Sequence, residues 1–386
     1  MLLHFCLDEK FIDKGVIIPF DKYYDKNTFV LLQEKSKTKY VKTLDRVLFL
    51  DIDKNEEELV QLCNSAKVII FHSLFGSLPL LIHKITNSNV KLIWSVWGGD
   101  FYCSKLFDEN SLILPETAKI YELNHQETLY AKRKKTFGKF YDYYLKLRTG
   151  EYPREYTLSK MYKKIDYIST VLDVEFDLIK STIPENKKVQ YMPYNYGSVE
   201  TMVGDNYKDI EINGNNILIG NSGDPSNNHL DVVYSLMKSN THKKTELIIP
   251  LNYGNKDYRR SLKEAFGGFD ENISIRILED FLSLDLYVKI LSSCSVMIMS
   301  HLRQQALGNI IVGLYLGMRI YLHPKGILYK YFKDKGYYVY PFKGEVILNK
   351  LNSKQKDHNR KLLFQNWGID VVESRVKNII NNVVNC

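Results

Sequence analysis

An apolar run, Asn216-Ile217-Leu218-Ile219, ends in Gly220-Asn221-Ser222-Gly223-Asp224-Pro225-Ser226-Asn227-Asn228-His229, after which Leu230, Val232, Val233, Leu236 and Met237 repeat at helical spacing. The order is strand, glycine-rich turn, helix. Glycines let backbone N–H groups approach a ligand closely, and a helix N-terminus offers unpaired donors and a partial positive charge, so the turn suits an anion, typically a diphosphate. In any parallel α/β protein such a turn can also serve only as a connection. Two other stretches converge on it. Ile249-Pro250-Leu251-Asn252-Tyr253-Gly254-Asn255 is a strand end whose loop can reach the same place. Ser300-His301-Leu302-Arg303-Gln304-Gln305 leads into a helix that begins near Gly308 and Asn309. A guanidinium ahead of a helix N-terminus can clamp a diphosphate with its planar fork of donors, and the competing use of Arg303 is an ion pair with Glu279 or Asp280.

These residues need a scaffold, and 386 residues are enough for two domains, each with its own core. A composition 45% hydrophobic and 25% charged excludes wholesale disorder, and the net charge of +8 favours anionic partners without choosing among them. No apolar stretch reaches the roughly 18 residues of a membrane span, and Met1-Leu2-Leu3-His4-Phe5-Cys6-Leu7-Asp8 does not read as a cleavable leader. A cytoplasmic location is expected. Cys6, Cys63, Cys103, Cys294 and Cys386 are widely spaced, odd in number and form no C-x-x-C pair, so reduced thiols are expected, with neither structural zinc nor a disulfide framework.

Short apolar runs alternate with helical segments along the whole chain. In the first half the strands read as 1–7, 29–32, 47–50, 67–72, 90–97, 165–171 and 189–193, with a helix at 56–63. Two of these runs end in His72 and in Gly98-Gly99-Asp100, the carboxyl-end positions at which parallel sheets bind ligands. From about 116 to 164 the pattern is helical and basic. In 131–148, cations interleave with Phe137, Phe140, Tyr141, Tyr144, Leu145 and Leu147. Such a helix either lies at a membrane interface, aromatics inward and Lys132 to Arg148 toward anionic head groups, or packs one aromatic face on its own domain. No recognised nucleic-acid motif accompanies it, so no nucleic-acid partner is expected. The polar stretch 195–214 reads as a linker. A second α/β series follows, with strands at 216–220, 246–250, 273–278, 295–300 and 319–322 and helices at 228–238, 256–266, 283–293 and 306–316. The expected division is 1–200, 201–348, and a helical 349–386 whose last helix packs back on the first domain.

Taken together, 219–229, 249–253, Arg303-Gln304-Gln305 with Gly308, and Trp97-Gly98-Gly99-Asp100-Phe101-Tyr102 resemble glycosyltransferase family 56, with the motifs in the family's order from about His72 to about Leu322. The G-N-S-G-D-x-S-N run is the most specific part of this resemblance. It implies an α/β protein of the GT-B fold, two Rossmann-like parallel-sheet domains facing a central cleft, with the donor nucleotide in the second domain and the acceptor facing the first. It also implies transfer of 4-acetamido-4,6-dideoxygalactose or a related deoxyamino sugar from a dTDP- or UDP-sugar to a lipid-linked or cell-surface glycan, in polysaccharide synthesis of the enterobacterial common antigen or O-antigen type. The expected location is peripheral, on the cytoplasmic face of the inner membrane.

Transfer from a nucleotide diphosphate needs the leaving group's charge stabilised and, in the inverting case, a base for the acceptor hydroxyl. GT-B enzymes usually meet the first need without metal, and no cofactor is expected. Donor-site residues are then Gly220, Asn221, Ser222, Gly223, Asp224, Asn252, Tyr253, Glu279, Arg303, Gln304, Gln305, Gly308 and Asn309, of which Asp224 can equally cap the following helix. Asp51-Ile52-Asp53 has metal-like spacing but is assigned to a loop. The base candidates are Asp100, whose other use is a helix cap, and His72, whose other use is orienting the acceptor or satisfying a buried backbone group. Trp97, Gly98, Gly99 and Tyr102 are the acceptor-side candidates, Trp97 as a sugar-stacking ring or a core aromatic. Without chemistry, the same two lobes would make a nucleotide- or sugar-binding protein.

Overall fold

The computed structural model describes the chain except residues 77, 105, 122–132, 135, 150–159, 184–187, 240–244, 270–272 and 386, and except the side chains of 139, 206 and 284. It divides into two compact units. Unit 1 takes Met1–Phe107, the described residues of 124–196 and Val372 onward, and unit 2 takes the described residues of 108–123 and Gly197–Val371.

Unit 1 carries β1 (Leu2–Cys6), β2 (Asn27–Leu31), β3 (Val47–Phe49), β4 (Val68–His72), β5 (Lys91–Val96), β6 (Tyr167–Thr170) and β7 (Gln190–Tyr191). They form one parallel sheet in the order β3-β2-β1-β4-β5-β6-β7. Strands covered on both faces must be apolar throughout rather than alternating, and β1 and β4 are buried at every position. The chain's last turns complete this core: Val376, Ile379, Ile380, Val383 and Val384 pack with Leu2, Phe29 and Val68. Asp51 closes a local turn, accepting from the backbone of Asp53 and Lys54 at 3.0 and 3.2 Å.

Unit 2 carries β8 (Asn216–Ile219), β9 (Leu247–Pro250), β10 (Ile275–Leu278), β11 (Cys294–Met299), β12 (Arg319–Leu322) and β13 (Val339–Pro341). Their order is β10-β9-β8-β11-β12-β13, again all parallel. The strand order reverses between β8 and β11, where Ile219 is in register with Ile298. Doubly wound sheets open a crevice at that point, beyond the strands' carboxyl ends. The helix Leu307–Leu316 is apolar almost all round and buries Leu307, Ile310, Ile311, Leu314 and Leu316. Gly313 lets it lie flat on the sheet, since a Cβ there would come within 2.9 Å of Met297 and Ile320. Gly317, at φ +85°, ends it. Its first turn is thereby fixed beside the crevice.

Two elements differ from the sequence reading. The 195–214 stretch contains a helix, Val199–Tyr207, started by a reciprocal capping box between Ser198 and Thr201. Residues from 108 to 121 belong to unit 2, because Asn228 accepts from Leu114 N (2.8 Å) and Asp231 accepts from Glu116 N and Thr117 N (both 2.9 Å).

Candidate active site

The chain leaves β8 at Gly220 with φ +67°, and a Cβ there would lie 2.5 Å from His229 Nε2 and 2.7 Å from Asn227 Oδ1. Only glycine fits both the dihedral and the space. Gly223 works differently from the ligand-approach role expected of it. It forms a lone parallel bridge with Gly254, its N–H donating to Tyr253 O (2.6 Å) and its carbonyl accepting from Asn255 N (3.0 Å). The approach it permits is backbone to backbone, and the loops after β8 and β9 are joined by it. Asp224 accepts from Ser226 N at 2.9 Å and so caps the short turn Pro225–Asn227 rather than the helix His229–Lys238. Asn228 is left-handed at φ 54°, a conformation asparagine tolerates better than other chiral residues. Its amide lies 3.1 to 3.2 Å from the carbonyls of Leu112, Ser226 and Ser300.

The segment after β11 meets this turn through side chains. Ser226 Oγ accepts from Arg303 Nε (3.2 Å), and its proton faces Asp224 Oδ1 (2.5 Å) and Gln305 Oε1 (2.7 Å). Gln305 Nε2 donates to Asn221 Oδ1 (3.3 Å), and Asn221 Nδ2 donates to Tyr253 Oη (2.9 Å). Arg303 Nη2 stands 3.6 Å from Asp224 Oδ2. Asn221, Asp224, Ser226, Tyr253, Arg303 and Gln305 therefore form one network, drawn from three loops at the β8/β11 crevice. The carboxylate facing Arg303 is Asp224; Glu279 pairs with Lys263 at 2.8 Å instead. Arg303 is 9% exposed and Gln304 is buried. Ala306, left-handed at φ 58°, leads into the helix Leu307–Leu316 without capping it through its side chain, and the space where a Cβ of Gly308 would point is open. Asn309 follows in the same first turn. Unpaired N–H groups and a guanidinium side by side are what a diphosphate needs.

Two buried imidazoles brace the network. His301 Nε2 donates to Asn227 Oδ1 (2.8 Å), the oxygen that also accepts from Asn221 N (2.9 Å). His229 Nδ1 lies 3.1 Å from Tyr258 Oη. Burial lowers His229 to about 3, and burial, with Arg303 nearby, holds His301 well below the ordinary imidazole range. Both are neutral at pH 7 and serve as hydrogen-bonding struts. Ser226, Asn227 and His301 join this network without being expected from the sequence; for Ser226 and Asn227 the available signal is the unbroken polar run Ser226-Asn227-Asn228-His229.

Of the candidates in unit 1, His72, Gly98, Asp100 and Tyr102 are buried and Trp97 and Gly99 half-buried. Asp100 is 5% exposed and accepts from Leu74 N (3.0 Å), Trp94 Nε1 (2.7 Å), Trp97 N (3.0 Å) and Gly98 N (3.1 Å). Burial outweighs these bonds and raises its carboxyl above the ordinary range. Gly98 takes φ 102° to make the turn, and a Cβ on Gly99 would reach Phe75 at 3.0 Å. Tyr102 is buried and donates to Glu175 Oε1 (3.0 Å). Trp97 packs edge-on against Phe11, 4.8 Å between ring centres. His72 is fully buried, 3.1 Å from His4 Nδ1, which in turn meets Asn27 Oδ1 through its other nitrogen at 3.3 Å. Asn252 is half-buried and Tyr253 exposed, both in the loop that Gly254 ties to the turn.

Two Rossmann-like parallel-sheet units, the second with a polar network at its switch point, are the architecture of the GT-B glycosyltransferase fold. The same fold is found, at low identity, in a crystal structure of a glycosyltransferase from Rickettsia africae ESF-5 (13% identity, 99% of this chain and 98% of that one, TM-score 0.61). It is found too in a trehalose-6-phosphate synthase (10%, 100% and 99%, 0.58) and a lipopolysaccharide outer core galactosyltransferase (9%, 99% and 99%, 0.56). The chain belongs to the family described as 4-alpha-L-fucosyltransferase, glycosyl transferase group 56, which matches residues 142–363, more than half its length. The β8 turn and the Arg303 segment lie inside that match; His72 and Trp97–Tyr102 precede it.

Proposed function

We propose that this glycosyltransferase moves a deoxyamino sugar, 4-acetamido-4,6-dideoxygalactose or a close relative, from a dTDP- or UDP-sugar to a lipid-linked or cell-surface glycan. In the reaction the bond between the sugar's anomeric carbon and the diphosphate oxygen breaks, an acceptor hydroxyl oxygen bonds to that carbon, its proton passes to a base, and the nucleoside diphosphate leaves with added negative charge. The observation that carries the reading is the Asn221–Ser226–Arg303–Gln305 network beside the uncapped helix Leu307–Leu316. Arg303 and the N–H groups of Gly308 and Asn309 take the diphosphate charge, Asn221 and Gln305 orient it, and the exposed Tyr253, stacked with Phe281 at 12° between ring planes, offers a face to the nucleobase. Screening dTDP-, UDP- and GDP-sugars for thermal stabilisation tests the donor class; indifference to all three would refute it.

Asp100 suits a positioning task better than that of a base, since four donors already occupy its oxygens. It ties the segment after β4 to the turn after β5. Asp100→Asn turns an acceptor into a donor facing N–H groups, which costs about 2–4 kcal/mol. The expected outcome is a lowered melting temperature together with lost activity. Full stability with lost activity would restore Asp100 as the base.

Among the described residues no helix is long and apolar enough to cross a membrane. The helix Lys139–Thr149, however, exposes Phe140 (85%) and Leu147 (70%) beside Lys146 and Arg148. Peripheral docking on anionic lipid would bury these side chains. Phe140→Ser with Leu147→Ser should reduce co-sedimentation with phosphatidylglycerol vesicles about tenfold or more, at roughly 1.5–3 kcal/mol per buried side chain, and leave the melting temperature unchanged. Undiminished vesicle binding would end that reading.

A further inference from the structure

We infer that unit 2 holds a second anion site, separate from the Arg303 network, built to take a phosphate group. A cavity of about 140 Å³ is lined by Leu251, Lys256, Arg259, Arg260, Lys263 and Glu279. It is smaller than the roughly 300–1,000 Å³ of clefts that enclose whole metabolites, and suits a compact ligand group.

Four cations occupy positions i, i+3, i+4 and i+7 of the helix Lys256–Gly267, which places them on one face. Like charges at this spacing destabilise a helix, and Lys256 stands in its first turn, where the helix dipole disfavours a cation. A sequence that breaks two local rules at one spot needs a compensating partner. The chain supplies little compensation. Glu279 pairs with Lys263 (2.8 Å) and Asp257 with Arg260 (3.0 Å). Among the described residues, Lys256 and Arg259 have no ion pair. Arg259 is held in place from below: Nη1 donates to Leu251 O (2.8 Å), and its stem covers Gly223, where a Cβ would meet Cγ at 2.3 Å. Its Nε is buried and has no acceptor among the described residues. The cavity thus has a guanidinium fixed in its wall, ringed by three lysine or arginine heads and one carboxylate. A tetrahedral dianion accepts from these cationic heads and offsets their repulsion.

Two sources carry such a group, a soluble phosphate or phosphate ester and a phosphomonoester lipid head. The test compares wild type, Lys256→Ala/Arg260→Ala/Lys263→Ala, and Arg303→Ala. The two variants lose only solvent-facing cations or a side chain of the other network, and Arg259 is left in place so that the turn at Gly223 is undisturbed. Inorganic phosphate, against sodium chloride of equal ionic strength, should raise the melting temperature of wild type and of Arg303→Ala. The apparent affinity should fall on the order of 100-fold in the triple variant. If phosphate has no effect but the triple variant loses binding to phosphatidic acid vesicles relative to phosphatidylglycerol ones, the site is a lipid-head site. Phosphate stabilisation that survives in the triple variant, or that disappears in Arg303→Ala alone, overturns the inference, as does a protein indifferent to both ligands.

Discussion

Arg303→Ala should lower kcat/KM for the nucleotide-sugar donor about 10²–10³-fold, the loss typical of removing one preorganised donor to a developing anion. Arg303 is buried beside Ser226 and Asp224, so the guanidinium is held before any ligand arrives and no ordering is required at the moment of reaction. Arg303→Lys keeps the charge but loses the fork and the Nε contact to Ser226, and should recover only part of the loss. The substitution also leaves Asp224 facing less positive charge, so unfolding of the ligand-free variant must be measured beside the kinetics. A modest fall in stability with a large fall in donor affinity fits the proposed role. A variant that still binds dTDP and UDP as wild type does would remove Arg303 from the diphosphate site.

The second large effect is acid sensitivity. His4 and His229 are lowered to about 3, and His72 and His301 well below the ordinary value, in each case chiefly by burial. Unfolded imidazoles take up a proton near 6.5, whereas these stay neutral in the folded chain, so below that pH the unfolded state binds more protons and gains. The sign is fixed: nothing is lost above pH 7, and stability falls as pH drops from about 6.5 toward the folded values. Each imidazole costs about 1 kcal/mol between pH 7 and 5.5, so each unit, holding two of the four, loses about 2–3 kcal/mol, a sizeable part of an ordinary domain's stability. Urea unfolding across that range is the measurement. A flat midpoint down to pH 5.5 would mean that the buried imidazoles are protonated in the fold.

Much of the scaffold was legible because parallel strands announce themselves. β8, β9, β11 and β12 are predominantly apolar runs with turn residues at their carboxyl ends, and their observed bounds lie within about two residues of those read from the pattern. Where the signal is not local, the reading stops. β13, Val339–Pro341, is three residues at a sheet edge and has no pattern to detect. The helix Val199–Tyr207 was hidden by Asn, Gly and Asp, including a kink at Gly204 with φ 54°. Residues 108–121 join unit 2 through polar contacts to Asn228 and Asp231 that span more than a hundred positions. Residue types single out Arg303 and the glycine turn as candidates, but Arg303's partner lies 79 residues away in Asp224, not in Glu279 or Asp280. For His72 and Asp100, position at a strand end was readable and enclosure was not, because burial is decided by what packs above the strand.

The bridge between Gly223 and Gly254 has a further consequence. Two loops that each carry a proposed donor contact, Asn221 on one and Tyr253 on the other, are stitched by two backbone hydrogen bonds and cannot be exchanged separately. A relative with different donor preference would lend its specificity only as a cassette of both loops, glycines included. Grafting one loop alone would bring a side chain into the seam and spoil the neighbour it was not meant to change.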